Sequence, residues 1–240
     1  MDATDPYTLI YDTMILPPLL KLLYPASCLV CGTPLSGREE CICRFCLPHL
    51  PHTGFHLQPD NKAEQLFFGK AEIERCACFC YFRKGDRFRE LIHEFKYRDN
   101  RKAAYRMGRL YARILQADRW DAPFACIIPV PLHPFKKIRR GYNQSEWIAR
   151  GIASVWQTPL RNDILYKRKA TSTQTRKGFF ERHANASGSF AVREAPALEG
   201  RHILLIDDVL TSGSTLTACI GALRQAANVK ISILTLGFAE

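Results

Sequence analysis

The chain predicts an α/β fold, a mostly parallel sheet flanked by helices, preceded by a small cysteine-rich module. Short apolar runs at 125–130, 202–206 and 231–238 have the length of buried strands. The stretches between them repeat apolar residues at helical spacing, and strands alternating with helices imply a parallel sheet. Two Cys-x-x-Cys turns stand ahead of all of these. With 240 residues, 47% of them hydrophobic, the chain can bury a large core beside a small companion module. A net charge of +11 and a pI of 9.3 point to polyanionic partners: nucleic acid, a phosphate-rich metabolite or an anionic membrane face.

Four regions follow: an N-terminal helical segment (1–26), a zinc ribbon (27–52), a connector or hood (53–84) and the main domain (85–240). The first residues are acidic, and the apolar run 15–23 is broken by Pro17, Pro18 and Lys21, so neither a signal peptide nor a membrane span is expected. Ten cysteines without an export signal suggest a reducing compartment, and the expected location is the cytoplasm.

Within the cysteine-rich module, Cys28-Leu29-Val30-Cys31 and Cys43-Arg44-Phe45-Cys46 each present two thiolates, and zinc takes four such donors in a tetrahedron. Metal binding would replace a core that so few residues cannot build. Cys41 is an alternative donor beside the second turn, and buried unmetallated thiols are the other reading. Further on, Cys76, Cys78 and Cys80 alternate with Ala77, Phe79 and Tyr81 at the period of a strand. Core packing explains these three better than a second metal site, and Cys126 and Cys219 read as core as well.

Phe88, Leu91, Ile92 and Phe95, then Met107, Leu110, Tyr111, Ile114 and Leu115, fall at helical spacing. The strand expected at 125–130 ends in Pro-Val-Pro, and helical spacing returns at Trp147, Ile148, Ile152 and Val155. The strand expected at 202–206 runs into a polar turn, a helix-like stretch at 215–226 and a closing strand at 231–238.

The most informative stretch is that turn, Asp207-Asp208-Val209-Leu210-Thr211-Ser212-Gly213-Ser214-Thr215. A strand delivers two carboxylates to the sheet edge, and a small hydroxyl loop around Gly213 opens a helix. Such a loop aims backbone N–H groups and hydroxyls at one phosphate. The carboxylates need a donor, which a vicinal diol supplies, so ribose 5-phosphate satisfies both halves. A helix-capping turn, or an aspartate pair holding magnesium in another nucleotide fold, are the competing readings. Upstream, Lys136, Lys137, Arg139 and Arg140 precede Gly141, Tyr142 and a helix start at Asn143 or Ser145, a second anion site suited to pyrophosphate or else a solvated basic loop. The basic, hydroxyl-rich stretch 167–182 is long for a structureless connection and reads as a lid or as a nucleic-acid-contacting loop.

Residues 206–215 resemble the phosphoribosyl pyrophosphate signature of type I phosphoribosyltransferases. Together with the Pro-Val-Pro strand end, Arg140-Gly141-Tyr142-Asn143-Gln144, the stretch from Lys167 to Phe190 and the leading cysteines, nearly the whole chain resembles the ComF-type competence proteins. The resemblance implies a phosphoribosyltransferase-like sheet behind a structural zinc ribbon. Cys28, Cys31, Cys43 and Cys46 would hold zinc, Asp207 and Asp208 would contact ribose, and residues 209–215 would hold the 5-phosphate. Lys137, Arg139 and Arg140 would hold the pyrophosphate and Tyr142 would belong to the same ligand-binding set, with magnesium carried mainly by the phosphoribosyl pyrophosphate. Transfer of phosphoribose is the enzymatic reading, with neither a general base nor an acceptor legible. The non-enzymatic reading is a cytosolic DNA-uptake factor that contacts single-stranded DNA or a helicase, with Tyr142 and Phe179 available to stack on bases.

Overall fold

A computed structural model describes residues 26–37, 39–86, 88–92, 100–132, 141–168 and 189–240. The chain divides into two compact units, Met1–His49 and Leu50–Glu240.

In the first unit the backbone turns tightly around its cysteines. Gly32 N–H donates to Cys28 O at 2.9 Å and Cys28 N–H to Thr33 O at 2.8 Å, while Leu29 N–H reaches Cys41 O at 2.8 Å. The Glu39 carboxylate accepts from the Ser36 and Arg44 amides at 2.7 Å each, pinning the segment between the two Cys-x-x-Cys turns. Among the described residues of this unit, the buried side chains are Cys28, Cys41, Ile42 and Cys43.

The second unit carries a four-stranded parallel sheet in the order β1-β6-β5-β2, where β1 is Arg75–Tyr81, β2 is Cys126–Pro129, β5 is His202–Leu210 and β6 is Lys230–Phe238. A separate antiparallel pair joins β3 (Leu165–Lys167) to β4 (Phe190–Val192). The helices are α1 (Lys62–Gln65), α2 (Arg101–Ala117), α3 (Gln144–Trp156) and α4 (Ser214–Leu223). Residues 88–92 are also helical, while Phe95 lies outside the described residues.

The apolar runs become strands because both faces of a parallel sheet are covered. All of β2 is buried, and β1 is buried from Cys76 to Cys80. Cys76 and Cys78 belong to the core, and burial drives the Cys76 thiol well above its ordinary pKa, as expected of an inert packing residue. The sheet takes its edge strand β1 from the stretch 53–84 expected as a connector, and β5 is longer than expected. β5 does not stop at Ile206; it continues paired with β6 through Asp207, opposite Thr235, to Leu210, opposite Phe238. Gly237 permits this, since Val209 side-chain carbons lie 3.1 Å and 3.4 Å from where a Cβ there would stand.

Helices α2 and α3 cross with their backbones nearly touching. A Cβ on Gly108 would strike the Ile148 carbonyl, and one on Gly151 would strike the Tyr105 carbonyl and come within 2.9 Å of Arg109 N. Bulkier residues around each glycine complete the apolar faces: Met107 and Tyr111 on α2, Ile148 and Ile152 on α3.

Both outer edges of the sheet are occupied. Along β1, Tyr81 N–H donates to Pro51 O at 2.8 Å, Cys76 N–H to Glu64 Oε1 at 2.9 Å, and the Asn61 amide donates to Cys76 O at 3.0 Å. Along β2, Ile127 N–H donates to Pro159 O at 2.8 Å and Ile127 O accepts from Arg161 N–H at 2.9 Å. Asn61 is central to the first of these. It caps α1 by accepting from Ala63 and Glu64 amides and also donates to Phe55 O and Gln58 O, while only 5% exposed. Asn61→Ala would orphan buried partners on three segments, and a loss of about 2 kcal/mol is expected. Urea unfolding monitored by tryptophan fluorescence reads it; an unchanged midpoint would refute this role.

Candidate functional site

The carboxyl ends of β2 and β5 meet the amino ends of α3 and α4, the place where open α/β sheets bind ligands. Val130, just past β2, donates its N–H to Ile206 O at 2.8 Å. Its carbonyl accepts from the Asn143 side-chain amide at 2.9 Å, which ties the start of α3 to the end of β2. Two residues on, the Ser145 hydroxyl donates to Asp207 Oδ1 at 2.9 Å, and the same oxygen accepts from Asp208 N–H at 2.9 Å. A carboxylate so held has a fixed rotamer before any ligand arrives. Asn143 is 7% exposed and its Oδ1 finds no donor among the described residues, so a water or a ligand hydroxyl suits that position.

Asp207, Asp208 and Val209 are half-buried and Leu210 is 1% exposed. Thr211, Ser212, Ser214 and Thr215 are exposed, with Ser212 Oγ and Ser214 Oγ 2.6 Å apart. Gly213 sits at φ +76°, a conformation other residues rarely adopt, and turns the chain directly into α4, whose first bond runs from Thr217 N–H to Gly213 O at 2.8 Å. The ring of Phe67 lies 3.5 Å from where a Gly213 side chain would begin, so the segment after α1 supports the loop from behind. The arrangement joins two carboxylates, a row of hydroxyls and the unpaired amides of a helix start along one sheet edge. That set can receive a phosphate ester and a polyol together.

Lys137, Arg139 and Arg140 lie outside the described residues, as do Phe179 and most of the stretch expected to act as a lid. Tyr142 differs from expectation: it is 3% exposed, with the Arg101 guanidinium 5.5 Å from its ring centroid. Buried there between a turn and α2, its ring is not offered to an unstacked base. Sequence reasoning missed Ser145, Asn143 as an anchor and Phe67. The first two had only a helix-start signal, and Phe67 had none.

In the first unit the sulfurs of Cys28, Cys31, Cys43 and Cys46 all lie within 4.8 Å of one another. Tetrahedral zinc–thiolate bonds of about 2.3 Å set sulfurs about 3.8 Å apart, and Cys31 and Cys43 stand at 3.7 Å. The amides of Val30 and Cys43 point at Cys28 Sγ at 3.4 Å and 3.3 Å, donors that stabilise a thiolate. The Thr33 hydroxyl and amide bring the Cys31 thiol down to about 6, while burial pushes Cys46 up to about 12. A cation shared by the four would draw all of them to the thiolate. The four cysteines can hold a metal ion, and Cys41 stands outside the set. Among the described residues, no other group of three or more such side chains has this arrangement, and no helix is long and apolar enough to cross a membrane.

No family model matches the chain. Competence protein F of Haemophilus influenzae is 31% identical over 151 residues, which are 60% of this chain and 64% of that protein. DNA utilization protein YhgH of Escherichia coli K12 is 31% identical over 129 residues, 52% of this chain and 56% of that protein. Competence protein ComFC of Bacillus subtilis is 25% identical over 150 residues, 60% of this chain and 58% of that protein. In each case the chain spans less than two thirds of the relative's length. It is therefore a homologue of proteins named for competence and DNA utilization, with an N-terminal cysteine cluster fit for a metal ion and a mostly parallel sheet flanked by helices behind it.

Proposed function

We propose that the sheet domain binds phosphoribosyl pyrophosphate, or a related ribose 5-phosphate, with magnesium, and that the protein serves DNA uptake in the cytoplasm. The observation that carries the ligand is the pairing of Asp207 and Asp208 at the end of β5 with the Gly213 loop that opens α4. The carboxylates accept from the ribose hydroxyls, the loop amides and hydroxyls of residues 209–215 take the 5-phosphate, and Lys137, Arg139 and Arg140 supply positive charge for the pyrophosphate. As a leaving group departs, charge building on the sugar ring is stabilised by the same acids, which is the chemistry of a phosphoribosyltransferase. In the first unit, Cys28, Cys31, Cys43 and Cys46 hold structural zinc. The names of the relatives and the net charge of +11 support the link to DNA, either with transfer catalysis or with the ligand site acting as a sensor.

Calorimetric titration with phosphoribosyl pyrophosphate and magnesium tests the site. In the double variant Asp207→Asn and Asp208→Asn the Ser145 hydroxyl keeps an acceptor, so folding is preserved while the charge is lost. Affinity is expected to fall roughly tenfold or more. Equal binding by both proteins would end the assignment.

A further inference from the structure

Helix α2 contains Arg101, Lys102, Arg106, Arg109 and Arg113 and not one Asp or Glu. At 100° per residue, four of these, Lys102, Arg106, Arg109 and Arg113, fall within a narrow sector of the helix. The opposite side holds the buried Ala104, Met107, Tyr111 and Leu115. Lys102 and Arg113 are exposed, and Arg106 and Arg109 are half-exposed. Like charges at i,i+4 cost a helix about 0.2–0.5 kcal/mol each. Lys102 with Arg106 and Arg109 with Arg113 are both such pairs, and Arg109 also donates to the Ser154 hydroxyl on α3 at 3.4 Å.

We propose that this stripe is a docking track for the sugar–phosphate backbone of a nucleic-acid strand. The proposal rests on the DNA-uptake part of the function above and gives it a surface. The stripe extends about 16 Å at 1.5 Å per residue, the length of about five phosphates of a stacked strand. A membrane is a poorer match. The apolar half of α2 is committed to α3 and the core, with Gly108 packed against Ile148, and nothing is left to enter lipid. An acidic protein is poorer too, because protein interfaces need an apolar centre. The exposed large hydrophobic residues among those described are Phe45, Leu57, Phe68 and Tyr166, none of them on α2. The start of the helix also adjoins the candidate site's own turn, since Arg101 donates to Gly141 O at 3.4 Å.

Fluorescence anisotropy with a labelled single-stranded oligonucleotide, repeated over a salt series, tests the track. The variant Lys102→Gln, Arg106→Gln, Arg113→Gln is compared with a control of equal charge, Lys70→Gln, Arg201→Gln, Lys230→Gln, drawn from exposed residues elsewhere on the same unit. The stripe variant is expected to bind roughly tenfold or more weakly, with a log–log salt slope shallower by about 2, since each lost phosphate contact removes about 0.7. The control should keep both, and so should the charge-retaining Arg106→Lys, Arg113→Lys. An equal loss in the control, no loss in the stripe variant, or no binding of the oligonucleotide by the native protein overturns the track. Binding through the stripe only to vesicles of anionic lipid overturns it as well. Phosphoribosyl pyrophosphate titration of the same variants separates the two ideas. The stripe variant should bind that ligand normally, and a native protein that binds the oligonucleotide but not phosphoribosyl pyrophosphate would sink the ribose site alone.

Discussion

Serine at Cys28 and Cys43 is expected to abolish metal binding and unfold the N-terminal module, leaving the sheet domain intact. The buried side chains described in that module are Cys28, Cys41, Ile42 and Cys43, so among the described residues a single isoleucine is the buried hydrophobic side chain other than cysteine. At about 25 cal/mol per Å², one such residue contributes about 2–3 kcal/mol, far below the conformational entropy of ordering some twenty residues at about 1–2 kcal/mol each. Zinc at a four-thiolate site contributes about 10–16 kcal/mol, which is the size of term that closes the gap. Metal analysis should find about one equivalent of zinc in the native protein and none in the variant, and limited proteolysis should cut the variant between residues 28 and 46. A metal-free protein whose module still resists protease would show that the sulfurs are merely packed.

The second large effect is expected at the helix crossing. Gly151→Ala places a methyl group against the Tyr105 carbonyl and Arg109 N, and Gly108→Ala places one against the Ile148 carbonyl. These are backbone atoms of another helix, which no rotamer change can move aside. Each variant is expected to lose about 3 kcal/mol, lowering the melting midpoint by about 6–12 °C in a domain of this size. Gly221 on α4 is the matched control. It has no atom within 4 Å of its would-be side chain, so Gly221→Ala should gain about 1 kcal/mol from helix propensity. Calorimetric melting of the three variants decides it, and similar midpoints for all would show that α2 and α3 can separate freely.

Much of the sheet was legible because a strand buried on both faces must be continuously apolar. The runs at 125–130, 202–206 and 231–238 correspond to β2, β5 and β6 for that reason. The extension of β5 through Asp207 and Asp208 was not legible, since it depends on β6 lying alongside and on Gly237 leaving room for Val209. The order of acids, hydroxyls and glycine could be read from the chain alone because its elements are contiguous. Ser145 and Phe67 join that neighbourhood from 62 and about 146 residues away, and the local sequence marks the first only as a helix start and the second not at all. The burial of Tyr142 was not legible, because an aromatic beside cations carries no local sign of its 3% exposure or of Arg101 standing 5.5 Å from its ring centroid. The close approach of Gly108 and Gly151 was equally hidden, as a glycine in a helix is ordinarily a weakness rather than a contact.

The coverings along β1 and β2 bear on how this protein can meet others. Many assemblies form when one molecule lends a strand to its neighbour, and amyloid grows by the same step repeated. Here residues 51–64 on one flank and 159–161 on the other already occupy those hydrogen-bonding rows. Recruitment by strand lending would first require peeling away native chain. A companion meeting this four-stranded sheet would have to recognise side chains, charge or loops rather than a free strand edge.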